Sequence, residues 1–150
     1  MVRQSDFSVV QAQHDDLPKV FELYKKGLSE LGMKYKAEKV FQKMHKAFKC
    51  APCFLLVIDD KIAGMADLHL GEDHFTGDIT LTDLLFYVEP EHRNLKRLSG
   101  LVEACKSFAD EYDLPFRLDF ISQNDENLRM RLLRMHGFKV YSVSGVYNGR

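Results

Sequence analysis

The strongest constraint on the fold lies between residues 79 and 112, where an apolar strand pattern runs through one proline into an amphipathic helix. Ile79, Leu81, Leu84, Leu85, Phe86 and Val88 are strand-like, whereas Leu98, Leu101, Val102, Cys105, Phe108, Ala109 and Tyr112 recur at helical spacing. Pro90 parts the two patterns. A helix N-terminus presents unpaired N–H groups and the positive end of the helix dipole, and so suits an anion. Arg93, Lys96 and Arg97 crowd this end, where a cation is ordinarily unfavourable by about 0.3–1 kcal/mol. Two things can offset them: local pairing with Glu89 and Glu91, or a bound polyphosphate.

The rest of the chain supplies alternating strands and helices. Phe7, Val9 and Val10 suggest a short first strand, and His14-Asp-Asp-Leu-Pro18 supplies a capping carboxylate and an early proline for a helix ending near Gly32. A second helix is expected over 36–49, with Val40, Phe41, Met44 and Phe48 on one face. Strands near 54–59 and 62–70 flank a turn at Asp59-Asp60-Lys61. A polar loop over 71–78, the strand 79–88 and a helix from about 95 to 112 follow. A fifth strand, Phe116-Arg-Leu-Asp-Phe-Ile121, should put Phe116, Leu118 and Phe120 on one face. A helix over 125–135 and a last strand over 138–147 complete the order β-α-α-β-β-β-α-β-α-β, an α/β (α+β) arrangement with a central twisted mixed sheet flanked by helices.

With 150 residues and 45% apolar content, residues 1–150 should form a single domain around one core. A net charge of −1, with no aromatic-basic stripe, disfavours nucleic-acid binding. No apolar run approaches the ~20 residues of a membrane span, and the start of the chain lacks the apolar core of a signal peptide, so a cytoplasmic protein without membrane contact is expected. Three cysteines argue against a secreted disulfide framework. Cys50-Ala-Pro-Cys53 precedes a strand, whereas redox motifs of this spacing open a helix, and zinc would need further ligands, so no metal site is expected.

The junction at 88–99 resembles the GNAT family of N-acetyltransferases, whose fourth strand ends in a Val-x-Pro-like segment followed by R/Q-x-x-G-x-G/A. Phe54-Leu-Leu-Val-Ile-Asp-Asp-Lys-Ile-Ala-Gly64 is similar to that family's second strand, turn and third strand. Asn124 or Asn127, followed by a helix and His136-Gly137-Phe138, is similar to its closing segment. The resemblance implies acetyl-coenzyme A as co-substrate, with Phe86, Val88, Arg93, Asn94, Lys96, Arg97, Leu98, Ser99 and Asn127 at the cofactor. It also implies an amine acceptor, either a small molecule or a protein amino group. The chain has Lys96 and Leu98 where the family has glycines, and Leu133 where many members carry a tyrosine thought to protonate the departing thiolate. Only thirteen residues follow Gly137, so a sheet edge could be left open to a second copy, which makes a homodimer conceivable.

Acetyl transfer needs a held thioester, a polarised carbonyl and removal of the amine's proton. The resemblance assigns carbonyl polarisation to the backbone amides of Phe86, Tyr87 and Val88. Asp83 is the acid inside this strand, expected on a face with Leu81, Leu85 and Tyr87; burial would raise its pKa and suit a base, and a hydrogen-bonded structural acid is the alternative. Asp67 and His69 share a face of the preceding strand and could form a relay, or simply an exposed polar face. Glu72, Asp73 and Asp78 could attract a cationic acceptor, or form a solvated loop. Two functions therefore stand side by side: an acetyltransferase, and an inactive GNAT-like domain serving protein binding.

Overall fold

The structure, a computed structural model, describes residues 6–119 and 126–140. Five strands, β1 (Ser8–Gln11), β2 (Cys53–Ile58), β3 (Lys61–Glu72), β4 (Ile79–Val88) and β5 (Phe116–Arg117), form one sheet in sequence order. β1 to β4 are antiparallel neighbours and β5 is parallel to β4, so the sheet is mixed. Helices α1 (Leu17–Glu30) and α2 (Ala37–Cys50) cover one face, and α3 (Leu95–Glu111) and α4 (Glu126–Met135) the other. The expected order therefore holds as far as α4. Residues 138–140 carry no strand, and the remainder of the expected last strand lies outside the described residues, as do Phe120, Ile121 and Asn124.

Local chemistry explains the boundaries. The β2–β3 hairpin turns on two residues, Asp59 and Asp60, both at positive φ (51° and 61°), the short polar pair a primed turn favours. α1 ends at Gly32, whose φ of 68° accompanies Met33 N–H donating to Leu28 O at 3.1 Å. Leu23, Val20 and Met44 are buried under α1 and α2, and Leu101, Val102, Cys105 and Leu132 under α3 and α4. Phe41, expected on the buried face of α2, is 47% exposed and instead stacks on His45 and meets Phe21 edge-on.

Two bulges set the side-chain directions. Ala63 is an extra residue on β3 between the Leu56–Gly64 and Val57–Ile62 pairs, and Leu84 an extra residue on β4 between Asp67–Leu85 and Leu68–Asp83. The second one corrects an expectation. Leu85 and Tyr87 join Leu84 on the α1/α2 face, while Leu81, Phe86 and Val88 face α3, so Asp83 does not share a face with Leu85 and Tyr87. Beside the bulged segment, Gly64 lies so close to β4 that a Cβ there would stand 2.8 Å from both Tyr87 O and Val88 Cγ2.

Replacing Gly64 by alanine should therefore push β3 from β4 and cost on the order of 1–3 kcal/mol. Urea unfolding would register it as a lower midpoint with an unchanged slope, and a midpoint equal to the native protein's would show that this contact relaxes without cost.

Candidate active site

β4 and β5 part company within two residues. The ladder holds at Leu81–Phe116 and Thr82–Arg117, and Leu81 N–H donates to Pro115 O at 2.9 Å. Next, the Asp83 carboxylate, 7% exposed, accepts Asp119 N–H at 2.7 Å in place of a carbonyl. A side chain inserted where a backbone group would stand keeps the strands a residue apart. Of the alternatives for Asp83, a hydrogen-bonded structural acid is the role this contact describes. Beyond it, Glu89 N–H bonds to Ala63 O, so the alternation along β4 turns the N–H groups of Phe86 and Val88 away from β3 and that of Tyr87 into the β3 ladder. Of the three amides expected at the thioester, those of Phe86 and Val88 therefore point away from β3 and that of Tyr87 points toward it.

The loop after β4 leads through a short 3-10 turn, Pro90–His92, into α3. Asn94 caps the helix, its side chain accepting Arg97 N–H at 2.8 Å, so Leu95 and Lys96 are the first-turn residues left to present outward N–H groups. Leu98 is 6% exposed in the core under α3, and its N–H bonds to Asn94 O, which leaves it nothing to offer a ligand. Lys96 is exposed at this end, and Asn127 is exposed on the first turn of α4. Of the two acids expected to offset the arginines, Glu89 pairs with Lys26 at 3.4 Å.

Arg93 spends its guanidinium across the molecule. Nη1 and Nη2 reach both oxygens of Glu30 on α1 at 2.8 and 2.6 Å, Nε donates to Val88 O at 2.7 Å, and the group lies 5.5 Å over the Tyr87 ring. This two-pronged, partly buried pair ties the end of α1 to the end of β4. Burial and the Glu30 carboxylate raise the Tyr87 phenol, against the pull of Arg93. Arg97 is held more loosely. Nη2 meets Asp6 at 3.0 Å and Nη1 the His92 carbonyl at 3.3 Å, while Nε is buried with no partner among the described residues.

On the α1/α2 face, Asp67 is 1% exposed and receives the Tyr24 hydroxyl from α1 and a hydrogen bond from Cys53. Burial raises its carboxyl to about 6, and the hydrogen bonds from Tyr24, Cys53 and the Leu68 amide hold it from going higher. His69 shares that face half-exposed, its imidazole lowered by burial and then by Lys43. Cys53 is accounted for by this network, its thiol raised by burial and Asp67; Cys50 is exposed, and neither forms a disulfide. The acidic loop is likewise built for its turn: Asp73 accepts Phe75 N–H and Thr76 N–H, both at 2.9 Å. Among the described residues, Glu89, Glu91 and His92 are near enough to share a cation, with ligand atoms within 4.8 Å, but all lie at the surface and Glu89 already holds Lys26. No described helix is long and apolar enough to cross a membrane.

No family model matches the sequence, and no curated protein does. Solved acetyltransferases match its fold from end to end. Aminoglycoside N-acetyltransferase AAC(6')-Iy, in complex with the bisubstrate analogue CoA-S-monomethyl-acetylneamine, superposes with a TM-score of 0.74 at 16% identity over 97% of this chain and 99% of that one. A predicted acetyltransferase from Clostridium acetobutylicum, solved with acetyl-CoA, gives 0.73 at 14% identity over 95% and 96%. The ribosomal-protein-alanine N-acetyltransferase of Brucella melitensis biovar Abortus 2308 gives 0.69 at 14% identity over 95% and 99%. The chain has the fold of the GNAT acetyltransferases.

The Asp67 network gives a stability test with a defined sign. The folded-state value near 6 lies above the ~3.9 of an unfolded aspartate. The folded chain therefore holds a proton that the unfolded chain gives up between about pH 4 and pH 6. This contribution is fully present below about pH 4, is lost as pH rises through 6, and amounts to on the order of 3 kcal/mol. Asp67→Asn should flatten that fall, so as pH rises from 4 to 6 the native midpoint should drop toward that of the variant if the amide costs stability at low pH, or drop away below it if the amide does not. Strictly parallel profiles would place the Asp67 titration elsewhere.

Proposed function

We propose that the chain transfers an acetyl group from acetyl-coenzyme A to an amine, the thioester lying where β4 and β5 separate and the pyrophosphate at the start of α3. The observation that carries this reading is the end of the described β4–β5 ladder at Thr82–Arg117, where the Asp83 carboxylate takes the Asp119 N–H one residue before the Leu84 bulge, with the Val88 amide turned to the β5 side and α3 opening directly beyond. A backbone amide such as that of Val88 suits the oxygen of a thioester as charge develops on it. The outward N–H groups of the first turn of α3, Lys96 and the Arg97 guanidinium suit a pyrophosphate. The amine approaches from the α1/α2 side, where His69, its imidazole lowered and so able to accept a proton at neutral pH, stands on the same face as Asp67. Direct attack breaks the C–S bond, and the thiolate leaves near Leu133, which has no proton to give. A coenzyme A thiol of pKa about 8.5 is a tolerable leaving group without help.

An inactive domain serving protein binding is the competing reading, favoured by one feature: Arg93 is already neutralised by Glu30. Coenzyme A binding separates the two. A thermal shift with acetyl-coenzyme A at a hundredfold excess over its dissociation constant should reflect about 2.7 kcal/mol of added stability. No shift with millimolar acetyl-coenzyme A or coenzyme A would establish the inactive reading.

Arg97→Ala should weaken coenzyme A binding and flatten its dependence on added salt, because a partly exposed charge acts through a screened field. Arg93→Ala should instead lower stability first, since it strands Glu30. Calorimetry giving Arg97→Ala the native affinity at low salt would place the phosphates elsewhere.

A further inference from the structure

The sheet face beneath α1 and α2 changes character partway along its strands. Where the two helices seal it, Leu55, Met65, Leu85 and Tyr87 are buried around Asp67. Past the Asp67–Leu85 pair it turns polar. His69 stands opposite Thr82, and Thr82 opposite Arg117, so the three form one row across β3, β4 and β5. Their side chains share the α1/α2 face, because Leu68, Leu81 and Phe116, each the residue before, pack under α3. Asp119 follows Arg117 on the same face, its Oδ1 accepting from Arg117 Nε at 3.1 Å. His69 and Thr82 are half-buried, and Arg117 and Asp119 are exposed, so the row is a floor that neither helix closes.

Charge decides what such a floor would hold. α2 packs on β3, and its Lys43 lies close enough to His69 for the ammonium to act on the imidazole. Lys36, Lys39 and Lys46 recur with Lys43 at helical spacing, all four exposed, and none has an ion-pair partner among the described residues. Residues 17–50 hold nine lysines against three glutamates, a net +6 in a chain whose total is −1, so the positive charge is gathered on this side. The described acids near the floor are engaged or turned away. Asp119 is held by Arg117, and Asp67 is sealed beneath Tyr24. Glu72 alternates with Leu68 and Leu70 toward the α3 face, while Asp73 and Asp78 belong to the turn beyond the strands.

We propose that Lys43, Thr82 and Arg117 form a subsite for an anionic group on the acceptor, so that the chain acetylates an amine that also carries a carboxylate or phosphate. The inference rests on the acetyl-transfer reading, which brings the amine in over this face beside His69. An ammonium, a hydroxyl and a guanidinium from three different elements converge there, and all three donate to an anion. Thr82 lies three residues from Leu85 along β4, about 10 Å at the rise of a strand, so amine and anion would be held several bonds apart. His69 then stands between them. An anion beside it favours the imidazolium that forms as it takes the amine's proton. A polycationic amine would instead meet Lys43 and the lysines beyond it with no unpaired carboxylate on the described floor.

Matched amines test this with reach held constant: aminocaproate against its amide, and aminopentyl phosphate against aminopentanol. In thiol release from acetyl-coenzyme A, at least one anionic member should exceed its uncharged partner by about threefold to tenfold in kcat/KM. The pair with the larger ratio tells carboxylate from phosphate. Lys43→Gln should bring that ratio toward one, whereas Lys49→Gln, a third of a turn round the same helix, should keep it. Amide resonances of His69, Thr82 and Arg117 should shift saturably with the anionic member and not with its partner. Ratios at or below one for both pairs, a ratio indifferent to Lys43→Gln, or saturable shifts confined to other residues overturn the subsite and leave acetyl transfer standing. Where none of the four amines is acetylated, the amide shifts alone decide the subsite. No thiol release together with no thermal shift from coenzyme A overturns the acetyl-transfer reading and, with it, the acceptor.

Discussion

The candidate site depends on one substitution of hydrogen-bonding partners, the Asp83 carboxylate taking the Asp119 N–H that a β4 carbonyl would otherwise hold. The Leu84 bulge works with it. An extra residue there reverses the alternation, so Leu84 and Leu85 face α1 and α2 while Phe86 and Val88 face α3. The two devices sit next to each other in sequence, where the described ladder between β4 and β5 ends.

Around that point the polar groups are spent on fixing elements rather than left for solvent. Glu30 and Arg93 join α1 to the end of β4, Tyr24 and Asp67 join α1 to β3, and Ser99, His136 and Glu103 join α3 to the turn after α4. Each set links two separate elements, so the helices are positioned by directional contacts as well as by packing. A buried acid such as Asp67 costs stability when charged.

Local patterns were readable in the sequence and distant pairings were not. The strand 79–88 stands as expected because alternation and Pro90 are properties of neighbouring residues, and Asp59-Asp60 announces its turn because short polar side chains tolerate positive φ. The bulge at Leu84 leaves no mark: Leu84, Leu85 and Phe86 are apolar on either face, so simple alternation groups Asp83 with Leu85 and Tyr87, which the extra residue turns to the other face. Glu30 and Arg93 are 63 residues apart, Tyr24 and Asp67 are 43, and Ser99 and His136 are 37. Such partners are chosen by packing, and Glu89 and Glu91 were considered for the arginines only because they are near in sequence. Phe41 shows the converse limit, since a helical stripe marks which residues could be buried and the neighbouring helix decides how many are.

Loss of the glycines at the family's loop positions has a physical counterpart here. Lys96 and Leu98 let α3 begin at Leu95, and the early start draws the Leu98 amide into the helix and gives the Arg97 amide to Asn94. A longer helix thus consumes donors that a glycine loop would aim at phosphate. Charge is the remaining means of holding an anion, yet Arg93 is committed to Glu30 and Arg97 shares Asp6. An anion arriving at this end must therefore compete with Asp6 for Arg97, while the exposed Lys96 and the outer N–H groups of the first turn meet it directly.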